Sequence, residues 1–269
     1  MPNLQALGAG DALAAVRAKA PLVHNITNFV VMNTTANALL ALGASPVMAH
    51  AEAEMADMVA LASALVLNLG TLTPAWVAAM VKAGEAANAK GIPIVLDPVG
   101  AGATPYRTAT ARELLQALRP AILRGNASEI QAVAGEQVRT KGVDATSASD
   151  DALAAAQALQ AAYGCAVAVS GPTDHILGGG RAWRIHNGHP LMPRVTGLGC
   201  TATALCGAFA AVTPDPGTAA AQAMAVMGVA GEIAAEGAQG PGTLQLAFLD
   251  ALYNLEPATL EARLRADVR

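Results

Sequence analysis

Along the chain, short unbroken apolar runs alternate with longer stretches in which apolar residues recur every three or four positions. The run ALVLNLG (64–70) reads as a buried strand ending at a glycine. TPAWVAAMVKAGEAANAKG (73–91) follows as a helix, with Thr73 as N-cap, Pro74 in the first turn and Gly91 closing it. IPIVLDPVGAG (92–102) is a second strand running into a glycine-rich loop, and TATARELLQALR (108–119) is a helix. AILRGN (121–126) is a third strand, ASEIQAVAG (127–135) a helix capped by Asn126, and DDALAAAQALQAAYG (150–164) another helix. CAVAVSG (165–171) is a fourth strand.

Strands alternating with helices predict parallel pairing through helical crossovers. After residue 171 the pattern changes. DHILGGGRAWRIHNG (174–188) reads as a β-hairpin around Gly178 to Gly180, at the edge of the parallel sheet or flanking the site. RVTGLGCTATALCGAFAAV (194–212) reads as a loop turning into a helix, and the chain ends in alanine-rich helices. No internal repeat or linker interrupts the pattern. The expectation is a single domain over 1–269 of the α/β class: a mostly parallel central sheet with helices on both faces, in three α/β/α layers. In such folds ligands sit beyond the carboxyl ends of the strands.

Composition narrows the picture. The 269 residues are 54% hydrophobic and 13% charged, which suits a large core and argues against disorder. The net charge of −4 and the lack of a basic stripe argue against nucleic acid as partner. Pro214, Asp215 and Pro216 stop the apolar run at 200–212 short of the roughly 20 residues a membrane span needs. Gln222 and Glu232 interrupt the run at 218–235, so no membrane segment is expected. The beginning of the chain has no basic segment leading into an apolar one, which points to a cytoplasmic protein. Three cysteines without a CxxC pair fit neither zinc nor a disulfide framework. Cys165 and Cys206 lie in apolar runs and read as core.

The carboxyl ends of the predicted strands deliver Asp97, then Arg124, Asn126 and Glu129, then Ser170 and Gly171. The loop before the last apolar helix delivers Gly197, Gly199 and Cys200. Two carboxylates, an arginine and glycine-rich backbone on one rim suit a magnesium-bound polyphosphate. Mg²⁺ takes few carboxylates and keeps waters and phosphate oxygens, and arginine offers phosphate a forked donor. Plainer roles stay open. Asp97 before Pro98 suits a turn. Asn126 and Glu129 have the spacing of a capping box. Gly197 and Gly199 suit a tight turn, and the stretch matches neither a P-loop nor a full dinucleotide fingerprint.

The motifs DPVGAGATPYR (97–107), RGNASEI (124–130), SGPTDHI (170–176) and VTGLGCTATA (195–204), in this order and at these intervals, resemble the hydroxyethylthiazole kinases of the ribokinase-like superfamily. The segment 21–55, HNGH (186–189) and GPGT (240–243) extend the resemblance over nearly the whole chain. It implies a ribokinase-like fold and ATP- and Mg²⁺-dependent phosphorylation of the hydroxyl of 4-methyl-5-(2-hydroxyethyl)thiazole, in salvage of the thiazole half of thiamine. It further implies a homotrimer with the thiazole pocket between adjacent subunits. By the same resemblance Met48 contacts the thiazole, Arg124 and Ser170 contact ATP, Gly197 lies beside the reacting hydroxyl, Asp97 and Glu129 lie near Mg²⁺, and Cys200 faces the acceptor hydroxyl. Asn126 is grouped with the ATP-binding residues and Gly199 with the catalytic turn. His24 and Asn25 are placed in a loop just before the first helix, reaching toward a neighbouring subunit's pocket. There Asn25 either caps or hydrogen-bonds the thiazole nitrogen, and His24 taken alone is an ordinary loop histidine. His175, His186 and His189 lack metal spacing and receive no role.

A cysteine at position 200 is unexpected, because related sugar kinases carry an aspartate there that takes the acceptor's proton. A free thiol has a pKa of about 8.5. The helix N-terminus is expected to lower that value. Phosphoryl transfer is largely dissociative and needs little help from a base, so a modest base is tolerated. Cys200 also suits a purely pocket-lining role beside a neutral ring, with Met48 as a polarisable wall or as plain core. The rival readings are a kinase of another alcohol such as hydroxymethylpyrimidine, a non-catalytic nucleotide- or thiazole-binding protein, and a nicotinamide-dependent oxidoreductase. The late position of the glycine turn disfavours the last of these.

Overall fold

The computed structural model describes residues 7–135 and 148–268. The first third of the chain holds α1 (Ala9–Lys19), β1 (Leu22–Ile26), α2 (Met32–Leu42), β2 (Ser45–Val47), α3 (Met55–Leu61), β3 (Ala64–Asn68) and α4 (Pro74–Lys90). Next come β4 (Ile94–Asp97), α5 (Pro105–Leu118), β5 (Ile122–Asn126), α6 (Ala127–Ala134), α7 (Ala148–Tyr163) and β6 (Ala166–Ser170). The remainder is β7 (Asp174–Gly178), β8 (Arg181–Ile185), α8 (Leu198–Ala210), α9 (Pro216–Glu236), α10 (Pro241–Asn254), α11 (Pro257–Arg263) and β9 (Ala266–Val268).

Local chemistry sets the helix ends. Thr73 accepts a hydrogen bond from the Trp76 N–H at 3.3 Å, Pro74 occupies the first turn, and Gly91 closes α4 at φ 77°. α5 starts three residues earlier than expected, at Pro105 instead of 108. Thr104 caps it by accepting from the Arg107 N–H, and proline at the first helical position costs no hydrogen bond. β7 and β8 turn through Gly179 (φ 58°) and Gly180 (φ 74°), the left-handed pair that a tight hairpin requires.

The described strands form one nine-stranded sheet in the order β2-β1-β3-β4-β5-β6-β7-β8-β9. Pairing is parallel from β2 through β6 and antiparallel from β6 to β9. Neighbouring side chains in each parallel strand point to opposite faces. Val23, Val66, Val95, Ile122 and Ala168 pack against α1, α2, α8, α9 and α10. Ile26, Leu65, Leu67, Leu96, Leu123 and Val167 pack against α3 to α7. Both faces are covered, as the apolar runs predict, and the result is three layers.

Two parts of the sequence-based picture change. His24 and Asn25 are not in a loop before a helix. They lie inside β1, whose alternation hides His24 at 0% and Asn25 at 1% exposure. LVHNI looks polar at its centre, so its strand character does not show in the apolar pattern. The chain also ends in a short strand, β9, instead of a helix. One helix among the described residues, α9, is long and apolar enough to cross a membrane, but 78% of its apolar window is buried inside the fold.

α8 is the helix that brings the glycine turn to the sheet. A Cβ on Gly207 would lie 2.7 Å from Val66 Cγ2 and 3.1 Å from Val23 Cγ1, so a glycine there lets α8 press onto β1 and β3. That contact sets the start of α8 directly beyond the carboxyl ends of the central strands.

Candidate active site

Asp97, the last residue of β4, is fully buried. Its Oδ2 accepts hydrogen bonds from Asn68 Nδ2 at 2.9 Å and from Thr203 Oγ1 at 2.6 Å, while its buried Oδ1 has no partner among the described residues. Burial raises its pKa from 3.8 to about 7, even though the charge of Arg124 and the bond from Thr203 both favour the ionised form. The unpaired oxygen of a buried carboxylate next to an arginine is the arrangement that a cation completes.

Asn68 and Asn28 extend this network. Asn28 Nδ2 donates to Asn68 Oδ1 at 2.7 Å and lies 3.6 Å from Cys200 Sγ. Asn68 Oδ1 also accepts from the Gly70 N–H at 3.0 Å. The thiol is therefore tied through two amides to Asp97. Burial first, and then the negative charge of Asp97, push the Cys200 thiol up to about 11. This reverses the expectation that the helix N-terminus lowers it. Cys200 is the third residue of α8, and the low-polarity surroundings together with a nearby carboxylate outweigh the helix dipole. The thiol stays protonated at neutral pH.

Arg124 lies within β5 at 8% exposure and donates from Nη2 to Ser170 Oγ at 2.7 Å. The two side chains belong to adjacent parallel strands, and the bond orients the guanidinium. Its other edge faces the glycine turn, where a Cβ on Gly199 would sit 3.1 Å from Nη1. Gly197 has φ 87°, and a Cβ there would lie 2.9 Å from Val31 Cγ1, so the turn needs glycine for both conformation and space. Among the described residues no side chain caps the start of α8, which leaves its first backbone N–H groups open to an anion.

Asn126 and Glu129 do form the capping box. Asn126 Oδ1 accepts from the Glu129 N–H at 3.0 Å, and Glu129 Oε2 accepts from the Asn126 N–H at 2.9 Å. Glu129 Oε1 accepts from the Gly100 N–H at 3.0 Å, which joins the loop after β4 to the start of α6. Each Glu129 oxygen is used once and keeps a second lone pair. The orphan oxygen makes Asp97 the better fit to a divalent cation, with Glu129 the weaker partner.

A cavity of about 780 Å³ opens beside this cluster. Arg124, Asn126, Ser170, Gly197 and Gly199 line it, so these expected residues converge. Asp174, Met224 and Met227 form other parts of its wall. Cys200 adjoins it through Gly199. Asn25 lies under the sheet face with its Nδ2 on the Val23 carbonyl, and Met48 follows β2 half-buried. Neither of these two lines the cavity of the single chain. His24 Nε2 bonds the Ala49 carbonyl at 2.9 Å and so anchors the segment after Met48.

The model of the hydroxyethylthiazole kinase family matches residues 13–258. The chain belongs to the hydroxyethylthiazole kinase family. It is 61% identical over 255 residues to a hydroxyethylthiazole kinase of Syntrophus aciditrophicus, covering 94% of each chain. The solved structure of a hydroxyethylthiazole kinase protein from Pyrococcus horikoshii OT3 superposes with a TM-score of 0.88 at 46% identity, covering 97% of this chain and 98% of that one. The pyridoxal kinase of Staphylococcus aureus, in complex with AMP-PCP and pyridoxal, superposes at 0.65 with 15% identity over 93% and 98% of the two chains, a likeness of fold alone. The architecture is ribokinase-like.

Within this hydroxyethylthiazole kinase frame, sequence reasoning missed Asn28, Asn68, Thr203 and Asp174. Asn28 and Asn68 are 3% and 2% exposed and follow or end strands β1 and β3, the same carboxyl-end position that singled out Asp97. Thr203 sits one turn into α8 and reads in sequence as helix filler. Asp174 accepts from the Gly171 N–H at 3.0 Å, and burial raises its pKa to about 6.

Between pH 3.8 and about 7 the native chain holds an Asp97 proton that the unfolded chain has released, so stability falls as pH rises through that window. Asp97→Asn removes this buried charge. In chelator at pH 8 the variant is expected to be more stable than wild type by on the order of 1–4 kcal/mol, while turnover falls at least about a hundredfold. Denaturant melts showing a clearly less stable variant contradict the assignment of Asp97 as a buried charge lacking its counter-ion.

Proposed function

We propose that the chain transfers the γ-phosphoryl group of ATP to the hydroxyl of 4-methyl-5-(2-hydroxyethyl)thiazole, in salvage of the thiazole half of thiamine. The observation that carries this reading is the meeting of Arg124 with the uncapped start of α8 at one end of the cavity, next to Cys200. The triphosphate lies along the cavity with its terminal group against the N–H groups of residues 197–200. Arg124, held by Ser170, and those N–H groups stabilise charge on the transferring group. Asn126 borders the same nucleotide cavity. Asp97, with Glu129, would hold Mg²⁺, which supplies charge neutralisation between the phosphates.

Transfer is direct and in line, with no thiophosphate on Cys200. A thiol pushed up to about 11 is a poor base, so it serves as a small, weakly polar neighbour to the alcohol. The hydroxyl loses its proton late, when the new ester bond is largely formed, and the proton passes to an oxygen of the transferred phosphoryl group. The protein's contribution is alignment and electrostatics.

The pocket for the ring is completed by a neighbouring copy in a homotrimer. Three features support this reading. Met48 stands half-buried outside the single-chain cavity. Phe29 and Val30, directly after Asn28, are 65% and 62% exposed. Leu40 on α2 and Leu246 and Tyr253 on α10 are exposed as well. A cytoplasmic location accords with ATP as co-substrate. Light scattering is expected to give three times the mass of one chain, and a monomeric mass with full activity refutes the shared pocket.

Two assays follow. With ATP and Mg²⁺, the purified protein is expected to phosphorylate the thiazole alcohol faster than hydroxymethylpyrimidine, and chelator is expected to stop it. Faster turnover of the pyrimidine overturns the substrate, and ligand binding without turnover overturns catalysis. Cys200→Asp is expected to lower kcat with the fold intact, because the thiol is there for shape and a second carboxylate close to Asp97 does not ionise readily. A retained or raised kcat shows instead that removal of the proton limits the rate.

A further inference from the structure

One wall of the cavity is a loop, residues 187–193, with no regular strand or long helix to hold it. It lies on α9 because that helix is cut away beneath it. A Cβ on Gly228 would meet Asn187 Cβ at 2.6 Å, and one on Gly231 would meet Met192 Sδ at 2.3 Å. One residue beyond Gly231, Glu232 grips the loop from below. Its Oε1 accepts from the Gly188 N–H at 2.8 Å, and its Oε2 accepts from Asn187 Nδ2 at 3.0 Å. Both residues line the cavity.

Glu232 is itself held from the end of the chain. Arg265 Nη2 donates to Glu232 Oε1 at 2.7 Å and Nη1 to Oε2 at 3.2 Å, a forked pairing that fixes the carboxylate plane. Arg265 Nη2 also donates to the His186 carbonyl at 2.9 Å. The backbone repeats the connection. The Arg265 N–H donates to Asn187 Oδ1 at 2.7 Å, Asn187 Nδ2 donates to the Arg263 carbonyl at 2.9 Å, and the His186 N–H donates to the Arg265 carbonyl at 2.8 Å.

Two residues on, Asp267 in β9 reaches the other wall. Its Oδ2 bonds His186 Nε2 at 2.8 Å, and His186 Nδ1 faces Thr173 Oγ1 at 3.2 Å. Arg184 Nε donates to Asp267 Oδ1 at 2.6 Å. Thr173 follows Ser170, Gly171 and Pro172, all of which line the cavity. A few residues at the end of the chain therefore brace two separate cavity walls, far from Asp97 and Cys200 in the fold's bonding network.

We propose that Arg265, through Glu232 and Asn187, is a positioning residue for the nucleotide, and that the terminal segment 263–268 sets the shape of the nucleotide cavity. This rests on the reading of that cavity as the ATP site. The segment touches none of the residues assigned to the alcohol or the metal, so its loss acts on nucleotide binding and leaves the acceptor side intact.

The test uses the full chain with Arg265→Ala, Arg265→Lys and, as a cavity control, Arg124→Ala. Arg265→Ala is expected to raise the KM for ATP roughly three- to fivefold, the size of effect for loss of a partly exposed ion pair. The KM for the thiazole alcohol and kcat are expected to stay within about twofold. Arg265→Lys keeps one charged donor and is expected to recover part of the loss. Arg265→Gln replaces the alanine variant if that chain does not fold. An unchanged KM for ATP in Arg265→Ala, or a parallel fall in kcat and both affinities with melting temperature, overturns the proposal. If Arg124→Ala also leaves the KM for ATP unchanged, the nucleotide reading of the cavity falls with it. If Arg124→Ala raises it and Arg265→Ala does not, only the role of the terminal segment is lost.

Discussion

A carboxylate removed from water needs charge and hydrogen bonds around it, and Asp97 receives them from three different parts of the chain. Asn68 comes from the end of β3, Thr203 from the first turns of α8, and Arg124 from β5. None of these groups can move far without leaving the buried charge worse satisfied. Their mutual demand fixes α8 against the sheet and sets the glycine turn beside Arg124. It also leaves one carboxylate oxygen without a partner. That unpaired oxygen costs stability.

The same network explains the thiol. In an exposed position at a helix start, Cys200 would be acidified. Here it is enclosed, linked through Asn28 and Asn68 to a carboxylate, and pushed up to about 11. Two acidic groups so close cannot both ionise readily. The site resolves this by keeping the thiol neutral. Phosphoryl transfer tolerates such an arrangement because positioning and charge stabilisation carry most of the acceleration.

Much of this was legible in the sequence where pattern and chemistry agree. Thr73, Pro74 and Gly91 mark α4 because each solves a local backbone problem that does not depend on the rest of the fold. Arg124 and Ser170 meet at the cavity, with Asp97 at the end of β4, because strands of a parallel sheet expose their carboxyl ends on one side. The failures were tertiary. β1 carries His24 and Asn25 in its middle, and only the finished sheet buries them. Thr203 and Asn68 look like filler until α8 is docked. The pKa of Cys200 depends on enclosure and on a neighbour about a hundred positions earlier in the chain, which no local dipole argument supplies. The bracing of the cavity by Arg265 and Asp267 joins positions far apart in sequence, where spacing carries no signal.

On the proposed reading the triphosphate ends at the start of α8, and the alcohol approaches it from the side of Cys200. A crystal structure of the protein with a non-hydrolysable ATP analogue, Mg²⁺ and the thiazole alcohol tests this directly. The account predicts the terminal phosphate against the N–H groups of Leu198 to Cys200 and the Arg124 guanidinium, the metal on Asp97, and the alcohol oxygen in line beside the thiol. A terminal phosphate bound away from α8, or a metal that leaves the free oxygen of Asp97 unpaired, contradicts it.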